Sequence, residues 1–117
     1  MCYSWWILSV LSIIGRLDWI SKDKLAGFIV KAQDPDDGGI ADRPSDMPDI
    51  FHTFFGIAGL SLLGKLPTSY RQIDPVYALP LDVVLRCRLS AQVIGNAEDE
   101  VDERLRHYNV CITKSSA

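Results

Sequence analysis

The sequence predicts an all-α fold, an arc of a double-layered helical barrel followed by a polar tail, and three observations carry that reading. Apolar residues recur at helical spacing in three separate segments. Segments that are apolar nearly all round alternate with one that is amphipathic. The stretch Ser4 to Gly15, SWWILSVLSIIG, also lies over Thr53 to Gly64, TFFGIAGLSLLG, at an offset of 49, with hydroxyl, aromatic, aliphatic and terminal-glycine positions matched. Repeats of this period mark arrays of helical hairpins, in which each unit buries its apolar face only by stacking on its neighbours.

In chain order, Trp6, Val10, Ile13, Ile14 and Leu17 form the stripe of a first inner helix, with Trp5, Leu8 and Leu11 on its flank. Ser21 reads as the N-cap of a second helix. Its stripe is Leu25, Phe28, Ile29 and Ala32, opposed by Lys22, Lys24 and Lys31, so it belongs to the outer layer. Asp34-Pro35-Asp36-Asp37-Gly38-Gly39 stops that helix, and a structured loop with Pro44 and Pro48 leads on. A third helix is expected from Asp49 to Leu63, ended by Gly64, with Gly56, Ala58 and Gly59 as the small residues that close helix contact requires. Ile73 to Leu81, interrupted by Pro75 and Pro80, is expected to run extended before a short helix near Leu81 to Leu89. These readings place one helical unit at residues 1–89. Residues 90–117, with five acidic side chains between Glu98 and Glu103 and little apolar patterning, read as a disordered tail with at most one solvated helix.

Composition narrows the function classes. The chain has 117 residues, 48% hydrophobic and 23% charged, with a net charge of -3 and no basic stripe, which argues against direct nucleic-acid binding. Cys2, Cys87 and Cys111 are odd in number and widely spaced, so neither a disulfide framework nor a self-contained zinc finger is indicated, and a reducing compartment fits. The apolar start lacks the basic flank and cleavage pattern of a secretory signal and falls short of the roughly 20 residues of a membrane span. A buried core helix is the expectation.

Cys2 and His52 are the residues of chemical interest. The repeat offset places both in the first turn of successive inner helices, at one end of the barrel, where amide dipoles favour an anion over a cation. Thiolate and neutral imidazole are the forms that bind zinc. The alternative is a buried free cysteine and a capping histidine. Tyr3, Trp5, Trp6, Phe51, Phe54 and Phe55 crowd the same end, with Trp6 and Phe51 on the Cys2 and His52 side, either as core or as walls of an apolar cavity. Exposed together, Trp5, Trp6, Phe54 and Phe55 would make a large apolar patch. Asp34, Asp36, Asp37, Asp42, Asp46 and Asp49 fit no calcium-loop spacing and read as turn and cap residues.

With these residues in view, CYSWW, GGIADRPSDMPDIFHTFFGIAGLSLLG and IDPVYALP resemble the C-terminal third of the beta subunits of the Rab geranylgeranyltransferases, the type II protein prenyltransferases. The similarity runs nearly ungapped over roughly Cys2 to Arg88. It implies an alpha-alpha toroid, a heterodimer with a prenyltransferase alpha subunit, and geranylgeranyl diphosphate held in the central cavity. It implies zinc bound by Cys2 and His52, Tyr3 near the diphosphate end, and Trp6 and Phe51 as isoprenoid-pocket walls. It also implies a Rab GTPase, presented by its escort protein, as acceptor, and a cytoplasmic location. The family's third zinc ligand is an Asp two residues before the cysteine, a position outside this chain, in which Met1 immediately precedes Cys2. The chain alone is therefore not expected to turn over substrate. The rival reading is a non-catalytic helical-repeat segment that packs against a partner subunit.

Overall fold

A computed structural model describes residues 1–89. The tail expected at 90–117 lies outside the described residues. Among those residues the architecture is all-α, with β-type pairing limited to isolated bridges. The helices are α1 (Cys2–Ile13), α2 (Lys22–Lys31), α3 (Ile50–Leu62) and the short α4 (Leu81–Arg86), with one turn of 3-10 helix at Leu17–Trp19.

Each boundary has a local chemical cause. Ser21 Oγ accepts the Lys24 N–H at 3.4 Å and starts α2, and Asp49 caps α3 through the His52 N–H. The two repeat-aligned helices end alike. Gly15 (φ 66°) and Gly64 (φ 69°) both adopt the left-handed conformation. Arg16 N–H bonds to Leu11 O at 2.7 Å and Lys65 N–H to Leu60 O at 2.9 Å, each beside a shorter-range bond from the glycine itself, the Schellman arrangement.

The core lies where α1, α2 and α3 meet. Trp5, Leu8 and Ser12, spaced along one face of α1, are buried against the small residues of α3. At Gly59, an added Cβ would lie 3.4 Å from both Leu8 Cδ1 and Ile29 Cδ1. Gly56 is tighter, since a Cβ there would sit 2.7 Å from Ile40 Cδ1 and 3.1 Å from Ile40 Cγ2. The expected small-residue contacts are thus present, with a loop isoleucine as well as neighbouring helices filling the space. Two expectations change. Trp5 is only 5% exposed and belongs to the core rather than to an exposed patch. The stripe Trp6, Val10 and Ile14, read as inward facing, is exposed. A helix apolar on every side gives no angular signal, so only its neighbours decide which face is covered.

The loop between α2 and α3 is pinned at both ends. Asp34 Oδ1 accepts the N–H groups of Asp36 and Asp37 at 2.9 and 3.1 Å, and Ala41 N–H returns to Ala32 O at 2.9 Å. Ile40 N–H donates to Thr53 Oγ1 of α3 at 2.8 Å. The segment Ile73 to Leu81, expected to run extended, instead folds into a closed loop together with Gln72. Leu81 N–H bonds Gln72 O at 2.8 Å and Asp74 N–H bonds Leu79 O at 2.8 Å. Buried Asp74 causes the reversal, because its Oδ1 accepts the N–H groups of Val76 and Tyr77 at 2.9 and 2.7 Å. Ser9 Oγ, donating to Pro75 O at 2.6 Å, fastens this loop to α1.

Candidate metal centre

Three elements converge at one end of the α1 and α3 pair. Cys2 is the first residue of α1, His52 lies in the first turn of α3, and Asp42 follows the loop segment held by Thr53. The Cys2 sulfur, one Asp42 carboxylate oxygen and one His52 ring nitrogen all lie within 4.8 Å of one another, and all three residues are half-buried. The sequence pairs Cys2 with His52, and the fold brings them together. It adds Asp42, which the sequence alone assigned to a turn. No spacing rule marks Asp42 among the six aspartates of that loop; its position follows from the Ile40–Thr53 bonds and from contact with a residue 41 positions away.

Asp42 is strongly held as an anion. The Met1 α-ammonium donates to its Oδ1 at 2.6 Å and Arg43 donates to its Oδ2 at 3.0 Å. Led by the Met1 bond, these contacts lower its pKa to about 2. His52 Nε2 faces the same Oδ1 at 3.4 Å. The other ring nitrogen, Nδ1, meets Asp49 Oδ2 at 2.5 Å. Asp49 also titrates below the usual carboxylate range, first because the His52 backbone N–H bonds it and then because the ring does. A thiol, an imidazole and a carboxylate are the donor set that zinc takes at three protein ligands, so these residues fit that ion.

The aromatic residues surround this end without closing over it. Tyr3, Trp6 and Phe51 are 68%, 50% and 51% exposed. Tyr3 meets Trp6 edge to face at 5.2 Å, and Phe51 meets His52 and Phe55 at 5.2 and 4.8 Å. An apolar groove of about 540 Å³ follows Tyr3, Ile7, Ile20, Leu25 and Phe28 between α1 and α2. Trp6 and Phe51 lie outside that lining.

Residues 1–79 match the prenyltransferase alpha-alpha toroid domain, and the chain belongs to that family. It is similar to the geranylgeranyl transferase type-2 subunit beta of Saccharomyces cerevisiae, 57% identical over 83 residues, covering 71% of this chain and 25% of the relative. It is also similar to the geranylgeranyl transferase type-2 subunit beta 1 of Arabidopsis thaliana, 60% identical over 86 residues, 74% of this chain and 26% of that one. The type-1 subunit beta of Dictyostelium discoideum is 38% identical over 74 residues, 63% of this chain and 20% of the relative. The chain spans about a quarter of the length of the yeast and Arabidopsis type-2 relatives. No helix among the described residues is long and apolar enough to cross a membrane.

Proposed function

We propose that this chain supplies the zinc-bearing wall of a type II protein geranylgeranyltransferase beta subunit, which moves geranylgeranyl from its diphosphate to C-terminal cysteines of Rab GTPases. The observation that carries the reading is the convergence of Cys2, Asp42 and His52 within 4.8 Å on a chain of which 83 residues align with the yeast type-2 beta subunit at 57% identity.

In this reading Cys2 and His52 would hold zinc, with the Asp42 carboxylate beside them. When bound, zinc supplies acidity, making the acceptor cysteine a thiolate near neutral pH. In the transfer a sulfur–carbon bond forms at C1 of the isoprenoid, the carbon–oxygen bond breaks with its electron pair leaving on diphosphate, and the thiol proton goes to solvent. Tyr3 lies at the diphosphate end, while Trp6 and Phe51 form apolar walls that measure the lipid and shelter positive charge developing at C1. The partners are a prenyltransferase alpha subunit and a Rab GTPase carried by its escort protein, in the cytoplasm.

A graft tests this. The matched 83 residues of the yeast type-2 beta subunit are replaced by their counterparts here, and the chimera is paired with the yeast alpha subunit. Transfer of labelled geranylgeranyl to a Rab protein with escort protein present is expected, with loss on Cys2→Ala. A chimera that folds and binds the alpha subunit but transfers nothing would favour the rival reading, a packing segment without catalytic residues. The 117-residue chain assayed alone with zinc is expected to show no turnover.

A further inference from the structure

We infer that Asp49 is a positioning residue for the metal centre: one carboxylate both caps α3 and fixes the His52 ring as the Nδ1–H tautomer, leaving Nε2 as the free donor toward Cys2 and Asp42. The inference rests on the proposed role of His52 as a zinc ligand. Asp49 Oδ1 accepts the His52 backbone N–H at 2.8 Å, while Oδ2 meets ring Nδ1 at 2.5 Å. An ionised carboxylate has only acceptors, and both ring nitrogens face one; the Asp49 contact is much the shorter, and Asp42 Oδ1 already accepts from the Met1 α-ammonium at 2.6 Å, so the ring hydrogen goes to Nδ1. Nε2, 3.4 Å from Asp42 Oδ1, is then the nitrogen whose lone pair faces the cluster. Outer partners of this kind set the tautomer and orientation of a ligating imidazole. Here the same side chain begins the helix, so the ring is oriented by the bond that starts its own first turn.

The two tasks separate by substitution. Asp49→Ser keeps a capping oxygen and removes the ring's acceptor. Asp49→Asn keeps the cap through its carbonyl oxygen but turns an NH₂ group toward Nδ1, which can then only accept, driving the proton to Nε2. Helix content by circular dichroism is expected to stay near wild type in both. In the metal-free chain, nitrogen-15 NMR on the neutral-imidazole limb of a pH titration should report Nδ1–H for wild type, a mixture for Asp49→Ser and Nε2–H for Asp49→Asn. Zinc affinity, measured with the metal alone, should fall about ten- to a hundredfold, further in Asp49→Asn than in Asp49→Ser.

An unchanged tautomer in both variants, or zinc loss that merely follows helix loss, overturns the inference. Wild type that holds Nδ1–H yet takes up no zinc would instead count against the metal reading and leave the tautomer assignment standing.

Discussion

Asp49 holds His52 twice, at its backbone N–H through Oδ1 and at its ring through Oδ2. An exposed side chain in the first turn of a helix ordinarily has more than one rotamer open to it. His52 is held in one, and Nε2 consequently faces Asp42 and the Cys2 end of α1.

The first prediction follows from that placement. Cobalt added to the chain should give thiolate-to-metal charge-transfer absorption if Cys2 is a ligand, and Cys2→Ser should abolish it. His52→Ala should weaken binding without removing the band. Asp42→Asn, which takes a negative charge from the cluster, should also weaken it. A band that survives Cys2→Ser would assign the metal elsewhere, with exposed Cys87 as the control substitution.

Much of this arrangement was legible in the residues. Ser21 and Asp49 announce two helix starts, Gly15 and Gly64 two ends, because capping chemistry is local and needs no knowledge of the fold. Gly56 and Gly59 announced close packing. What was not legible depends on distant partners. Trp5 and Trp6 are adjacent and chemically alike, yet one is buried and the other half exposed, a difference set by α3. The closed loop at 72–81 was missed because its prolines suggest extension, while a single buried carboxylate supplies the acceptors that fold it back.

Trp6 gives the second prediction, best measured in the yeast chimera paired with its alpha subunit. If its exposed ring is a wall of the isoprenoid cavity, Trp6→Ala should weaken geranylgeranyl diphosphate binding about tenfold or more, the scale of losing a large apolar contact. Zinc affinity should be unchanged. Equal loss of both would mark Trp6 as a residue that merely supports α1.

Two glycines make a matched pair for stability. Gly27 lies in α2 with no atom within 4 Å of an added Cβ, so Gly27→Ala should stabilise by about 0.5–1 kcal/mol through helix propensity alone. Gly56→Ala gains the same propensity but drives its methyl against both branches of Ile40. Because a β-branched side chain has few rotamers in which to retreat, it should destabilise. Urea midpoints of the two variants should therefore move in opposite directions, and a matching rise in both would refute the close packing of Ile40 on α3.

Asp74 supplies a pH-dependent test. Burial raises its pKa against the opposing effect of the Tyr77 and Val76 N–H bonds. A carboxyl whose folded-state pKa is raised contributes stability that is fully present below its ordinary value and is lost as pH rises through the raised one. Asp74→Asn preserves an acceptor oxygen for the Val76 and Tyr77 N–H groups but cannot ionise. Relative to wild type, the Asn variant should therefore gain ground as pH rises from 3 to 7, because only wild-type Asp74 has a buried charge to take on. Asp74→Ala removes the acceptor altogether and should cost about 1–3 kcal/mol at pH 3, since two loop N–H groups lose their partner, a deficit that narrows at pH 7 as wild type charges. Urea unfolding of all three proteins at both pH values measures the gap. An Asn variant whose deficit grows with pH would mean that the charged form of Asp74 is stabilised in the folded chain, contrary to the upward shift.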